Sequence, residues 1–398
     1  MKFDKLISTV AGAAAITLSL AAPQAFAQGA PIKIGVIQTY TGPLSGPGTD
    51  ASNGFTLFFE QKGNVIAGRP IQLIKEDDAA NPAQAMERTR RLVERENVHM
   101  LSGITSSAVA YAVRDYVHGK ETPLVLMGAA GSNSLTNERG SPFIFRASLG
   151  NRQFNAPFGP YACQKLGYKR IAVMASDFVT GHEQSKGFKE TYEKAGCKVV
   201  KEIFVPLGTV DFAPFLTQIP AGEVDAVWAM FFGADSIGYV KQYDALGYKA
   251  KLPLVGAGGL PSERLLAPMG TSSVGITSAM FYTVTLDTPE NKAFVQAYRA
   301  KFNSVPDATS ASGYTAAMAI AAALEAVNGR IEDKAAFLAA LRKVELTNAP
   351  YGKFRFDAKQ NVVFDTFVTR VTARDGTFVP VIVDKLAPDV DQFWQHKP

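Results

Sequence analysis

Histidine, cysteine and tryptophan are scarce in this chain of 398 residues, with four, two and two copies. His99, His118, His182 and His396 lie far apart, and none stands at a ligand-like spacing from Cys163 or Cys197. No zinc motif and no Cys-His nucleophile pair is therefore visible. A glycine-rich phosphate loop, a nucleophile elbow and paired acids in a glycosidase-like setting are absent as well. No short repeat or low-complexity segment appears. Neither an enzyme nor a metal or cofactor is expected from such a sequence. After the first thirty or so positions, no segment approaches the roughly twenty apolar residues that a membrane span requires.

An excess of one charge is also lacking: Lys and Arg number 41 against 36 Asp and Glu, a net of +5. The densest bases, Arg88, Arg90, Arg91 and Arg95, alternate with Glu87, Glu94 and Glu96. That pattern predicts a solvated, salt-bridged helix face and no nucleic-acid surface.

What is present begins with an apolar run from Val10 to Ala22, preceded by Lys2 and Lys5 and followed by Ala25-Phe26-Ala27. Small residues at the two positions a signal peptidase reads make 1–27 a cleavable leader, with cleavage near Ala27 and Gln28 first in the exported chain. The alternative, a retained anchor, suits so short and Ala-rich a run poorly. An exported chain of this kind works in the periplasm, where Cys163 and Cys197 become a candidate disulfide worth roughly 3 to 4 kcal/mol. Two separate buried thiols are the alternative.

Short apolar runs alternate with amphipathic segments. Ile32 to Ile37 reads as a strand, Thr41 to Gly46 as a turn-rich loop and Gly54 to Gln61 as a helix body. Ile71 to Ile74 is a strand, and Asn81-Pro82 starts a helix with a capping Asn and Pro at the first helical position. Met100-Leu101-Ser102 and Pro123 to Met127 are strands separated by a helix from Ala108 to His118. The rhythm restarts with helices at Gln153 to Leu166 and His182 to Ala195, and strands at Ile171 to Met174, Val199 to Val205, Ala226 to Phe232 and Pro253 to Val255. Helices return at Asn291 to Phe302 and Ala311 to Asn328. An antiparallel segment closes the chain, from Gly352 to Phe356 and from Val362 to Val371. Two α/β units of similar size imply two lobes, each with a parallel sheet and helices on both faces. Ligands of such sheets sit beyond the carboxyl ends of the strands. Asp77-Asp78 reads as a solvated strand end in preference to an acid/base pair.

Several of these segments, in order, resemble the periplasmic solute-binding proteins of the branched-chain amino acid type. They are Ile34-Gly35-Val36 with Thr41 to Gly46, Ala67-Gly68-Arg69-Pro70 leading into Glu76-Asp77-Asp78, and Asn81-Pro82. Gly103-Ile104-Thr105-Ser106-Ser107, Gly181 after Ser176-Asp177-Phe178, and Gly352 to Asp357 also match. The resemblance covers essentially all of the chain after the leader. It implies a type I periplasmic binding protein fold of two Rossmann-like lobes, joined by three crossovers near Ser148 to Asn151, Ala279 to Thr283 and Gly352 to Phe356. The first lobe would hold 28–148 with 284–351, and the second 149–283 with 352–398. A monomer of this kind closes on a small solute and delivers it to a membrane ATP-driven permease.

The resemblance places a ligand carboxylate at Ser107, beside Ser106, where a helix N-terminus favours an anion. The plain alternative is that Ser107 only caps its helix. Ala129 and Gly131 match a second wall of backbone polar groups, with Gly131 standing where relatives have Thr. Pro47 stands where relatives carry a first-lobe loop aromatic, and Thr180 where they carry a Tyr, with Phe178 just before it. Phe232 replaces a Tyr after the Ala226 strand, while Phe178, Phe232 and Tyr40 suggest apolar faces for a planar ring. Amino-acid binders of this family hold the ligand ammonium with an acid that would stand in Gly256-Ala257-Gly258-Gly259. Here Gly258 occupies that place, and the nearest acid, Glu263, lies further along. A buried ammonium without counter-charge loses about 3 to 5 kcal/mol. The expected cargo is therefore an aromatic acid of the benzoate or phenylpropenoate type. The alternative is a branched-chain amino acid or small amide, with Asp235 or Glu263 supplying the charge.

Overall fold

A computed structural model describes residues 29–387, so the expected leader at 1–27 lies outside the described residues. The first sheet is built from β1 (Ile32–Gln38), β2 (Val65–Ile66), β3 (Arg69–Asp77), β4 (Met100–Gly103), β5 (Leu124–Leu126) and β6 (Ile144–Arg146). Helices α1 (Ser45–Gln61), α2 (Pro82–Arg90) and α3 (Ser107–Gly119) connect them. Its order is β2-β3-β1-β4-β5-β6, parallel throughout except for the β2–β3 hairpin.

The chain continues through α4 (Phe158–Pro160), β7 (Arg170–Ser176), α5 (Val179–Lys194), β8 (Lys198–Val205), α6 (Ala213–Leu216) and β9 (Ala226–Met230). Next come α7 (Gly233–Ala245), β10 (Leu254–Ala257), α8 (Glu263–Met269) and β11 (Thr277–Met280). Helices α9 (Pro289–Phe302), α10 (Ala308–Ala326) and α11 (Lys334–Arg342) follow. The last strands are β12 (Glu345–Ala349), β13 (Gly352–Phe356), β14 (Val362–Val363), β15 (Thr366–Arg374) and β16 (Thr377–Leu386). The second sheet runs β16-β15-β11-β10-β9-β7-β8, with β15 and β16 antiparallel at one edge. Strands β12, β13 and β14 form a third, small sheet.

After β11 the chain returns to the first sheet, where α10 lies directly on α1. Their backbones touch: a Cβ on Gly54 would stand 1.9 Å from the Ser310 carbonyl oxygen, and one on Gly313 would stand 2.0 Å from that of Ala51. Only glycine permits this approach.

Three readings of the sequence need correction. Helix α1 holds the expected body from Gly54 to Gln61 and begins earlier, at Ser45: Pro47 is tolerated in a first turn, and Gly48, where a Cβ would stand 2.0 Å from the Thr39 carbonyl oxygen, lets the helix pack against that strand end. The helix expected from Gln153 begins only at Phe158, since Pro157 and Pro160 lack the N–H that an earlier helix would need. The closing segment from Val362 to Val371 is two strands in two sheets, and the crossover placed at Gly352–Phe356 comes later. Phe356 belongs to the small sheet and its ring lies 5.2 Å from Phe145 of β6, while the chain joins the second sheet at Thr366.

Cys163 and Cys197 are joined in a disulfide, Cα to Cα 5.9 Å and 34 residues apart, tying the helical segment Tyr161–Lys165 that continues α4 to the residue before β8. Trp228 is fully buried and stacks on Phe188 at 5.1 Å, a packing role. Among the described residues no helix is long and apolar enough to cross a membrane.

Gly313→Ala forces a methyl group against the Ala51 carbonyl and should destabilise the fold by about 1 to 3 kcal/mol. Urea unfolding checks this, and an unchanged midpoint would mean that α1 and α10 separate freely.

Candidate functional site

Parallel strands deliver their carboxyl ends to one edge of each sheet, and the two edges face each other across a cleft. Strand β4 ends in Gly103 and Ile104, both with positive φ (125° and 66°), and the Ile104 N–H donates to the Ile37 carbonyl at 2.7 Å. A β-branched residue in that conformation is strained. The bend aims Thr105-Ser106-Ser107 into the cleft. Thr105 is occupied, its hydroxyl donating to Gln38 Oε1 at 2.5 Å.

Ser106 is the N-cap of α3 and Ser107 its first residue, yet neither hydroxyl caps the helix. Ser107 Oγ instead accepts the Ser132 N–H at 3.2 Å, which leaves its own proton available to an anion. Helix α5 starts behind Phe178 and α7 behind Phe232, and both also lack a side-chain cap. The unpaired N–H groups of three helix first turns thus converge on one place.

That place is a chamber of about 320 Å³, its open mouth included, lined by Leu44, Pro47, Ala129 and Phe232, with Thr105, Ser106, Ser107, Phe178 and Thr180. None of these side chains is ionisable. Pro47, Ala129 and Phe232 also line a larger chamber of about 780 Å³, its open mouth included, where Gly258, Phe154, Met280, Tyr282, Gln184 and Glu263 form much of the wall. The structure therefore brings together Ser106, Ser107, Ala129, Phe178, Thr180, Phe232, Gly258 and Pro47.

Gly131 and Tyr40 line neither chamber. A Cβ on Gly131 would stand 2.3 Å from Asn151 Oδ1, so it is glycine for packing at the crossover. The Tyr40 hydroxyl is turned to Ser52 Oγ at 2.8 Å, and burial raises its pKa to about 12. Asp77 and Asp78 brace loops: Asp77 accepts the Tyr40 N–H at 2.8 Å and the Thr41 hydroxyl at 2.7 Å, and Asp78 accepts that of Thr39 at 2.6 Å.

Gly258 shows more than a missing acid. A Cβ there would lie 2.5 Å from the Met280 Cβ and 2.8 Å from the Ala279 carbonyl, so there is no room for any side chain. At Gly259, a Cβ would strike the Phe232 ring at 2.3 Å.

Glu263, by contrast, does reach the cleft. It opens α8 after the glycine loop just as Ser107 opens α3, and that shared position was the available signal. Its Oε1 accepts the Val284 N–H at 3.1 Å, and burial pushes its carboxyl up to about 7. Asp235 lies outside both chambers and accepts the Gly208 N–H at 3.0 Å.

Residues the sequence did not single out join the lobes. Glu183 of α5 accepts from the Ser132 hydroxyl at 2.8 Å, the Asn133 N–H at 3.0 Å and Asn151 Nδ2 at 2.8 Å. Ser132 is thereby committed to this junction. Elsewhere along the cleft Arg264 pairs with Asp50, Nε to Oδ2 3.0 Å, and the Ser262 hydroxyl donates to Asp307 at 3.2 Å. Burial and the nearby Asp307 raise the Asp50 carboxyl to about 7 against the pull of Arg264.

Residues 31–377 match the family described as periplasmic binding protein. An ABC transporter substrate-binding protein from Sphaerobacter thermophilus is 39% identical, with a TM-score of 0.87 over 91% of this chain and 99% of that one. A solute-binding protein of an ABC transporter from R. palustris, solved in complex with benzoate, is 27% identical, with a TM-score of 0.85 over 92% and 100% of the two chains. A Leu/Ile/Val-binding protein homolog 6 from Brucella melitensis is 29% identical over 376 residues, 93% of this chain and 94% of the relative.

A carboxyl whose pKa rises on folding stabilises the fold most below its ordinary value. For Glu263 that contribution fades as pH climbs from about 4.5 to about 7. Melting temperatures of the wild type and Glu263→Gln should therefore diverge over that window, the wild type falling further. Parallel curves would refute the assignment.

Proposed function

The chain belongs to the periplasmic binding protein family, and on that premise we propose that it traps a small aromatic carboxylate by hinge closure and hands it to its permease. Members of this class bind solutes for ABC transporters and catalyse no reaction. The lobes that close would be 28–148 with 284–365, and 149–283 with β15 and β16. The leader at 1–27 would direct the protein to the periplasm.

The observation that carries this reading is the smaller chamber: three uncapped helix N-termini and the Ser106 and Ser107 hydroxyls surround a space lined by no acid. Such a site attracts an anion from both lobes at once. Phe178 and Phe232 offer apolar faces to a ring, and the benzoate held by the R. palustris protein is a ligand of that class. A free ammonium next to the carboxylate would find no partner at Gly258, where no side chain fits.

A second reading, a branched-chain amino acid, rests on Glu263 in the wall of the larger chamber and on the Leu/Ile/Val-binding relatives. Burial holds that carboxyl near neutrality, which weakens it as a counter-charge. A thermal-shift screen after removal of carried-over ligand separates the two. Benzoates and cinnamates should raise the melting temperature, whereas a response to leucine, isoleucine or valine alone would overturn the aromatic reading.

Ser107→Ala should weaken binding of the responding acid about tenfold to a hundredfold, the range expected for one hydrogen bond to a charged group. Equal affinity in the variant, measured by calorimetry, would remove Ser107 as the anchor.

A further inference from the structure

The two chambers have opposite electrostatic characters although they share a wall. The smaller has helix N-termini and no ionisable side chain, and so receives the anionic end of a ligand. The larger is walled by acceptors and acids: Glu263, Asp307, Gln184 and Tyr282, beside the apolar Phe154 and Met280. The one cation in that wall, Arg264, is already paired with Asp50. A second carboxylate would be repelled there.

Two polar atoms of this wall have no partner. Gln184 is fully buried and its Oε1 is unbonded; Tyr282 is 2% exposed and its hydroxyl is unbonded. A buried polar group without a partner is unfavourable, and a ligand group that pairs with it relieves that penalty. The acids are less receptive. Asp307 already takes the Thr309 and Ser310 N–H groups at 3.0 Å each and the Ser262 hydroxyl at 3.2 Å. Glu263 takes the Val284 N–H.

We propose that the larger chamber is a subsite for a neutral hydrogen-bond donor, so that the cargo is an elongated aromatic acid with a hydroxyl opposite its carboxylate. Its ring passes the apolar constriction formed by Pro47, Ala129 and Phe232, which both chambers share. The distal hydroxyl donates its one proton to Gln184 Oε1 and accepts from the Tyr282 hydroxyl, and the pair sets the preference for it. An ammonium at the same end is disfavoured, because the nearby carboxylates are committed to protein donors. This inference rests on the carboxylate reading of the smaller chamber.

Calorimetry with cinnamate, 4-hydroxycinnamate and 4-methoxycinnamate tests it on the wild type, Tyr282→Phe and Gln184→Met. The hydroxylated acid should bind about tenfold more tightly than the other two. Tyr282→Phe should erase most of that advantage while leaving cinnamate within about twofold of its wild-type affinity. Gln184→Met should give the same signature and keeps the test open if the first variant folds poorly. Equal binding of the three acids to the wild type would overturn the subsite and leave the carboxylate reading standing. So would a variant loss shared equally by all of them. Binding of leucine with no response to any aromatic acid would instead remove the carboxylate reading, and the subsite with it.

Discussion

A parallel sheet sends every strand's carboxyl end to the same edge, and the helix that follows begins there with its first N–H groups unpaired. In this protein two such edges are set face to face. Strands β4, β7 and β9 open into α3, α5 and α7, and none of these helices spends a side chain on its own N-terminus. Each N-terminus carries about half a positive charge. Bringing them together across a closed cleft is unfavourable until something negative lies between them. Under the proposed reading the closed form and an anionic ligand therefore support one another.

The direct bonds between the lobes fit this picture. Glu183 collects three donors from the first lobe and the crossover, Arg264 meets Asp50, and Ser262 meets Asp307. Each bond exchanges with water when the cleft opens, so each, though made to a carboxylate, is worth only about 1 to 3 kcal/mol net. Contacts of that size keep the two states close in free energy, which is the condition under which a small ligand can decide between them.

Much of this fold was legible because its signals are local. Strand-helix alternation fixed the class, and Ser106-Ser107 could be located because strand, turn and helix are neighbours in sequence. The misplaced boundaries came from prolines whose effect depends on where a helix begins: Pro47 sits inside α1, whereas Pro157 delays α4. Strand β15 was merged with β14 because nothing in Val362 to Val371 says which sheet each half will join. The larger chamber was illegible for a different reason. Gln184, Glu263, Tyr282 and Asp307 come from four separate stretches of chain, and only tertiary packing assembles them. Gly131 and Tyr40, expected at the ligand, instead pack against Asn151 and Ser52. Gly258 could be read as a missing acid, but that no side chain fits there at all is a fact of three-dimensional space.

The bend at Gly103 and Ile104 has a kinetic consequence. Its strained backbone is held by the Ile37 carbonyl and by the surrounding first sheet, independently of the second lobe. Half of the proposed anion site is thus assembled without the second lobe, and first encounter needs no rearrangement of that half. If the lobes close as proposed, association is governed by diffusion into an open first lobe, while the residence time is governed by how often the second lobe swings away. Variation in the second lobe should consequently tune how long a cargo stays more than how quickly it is found.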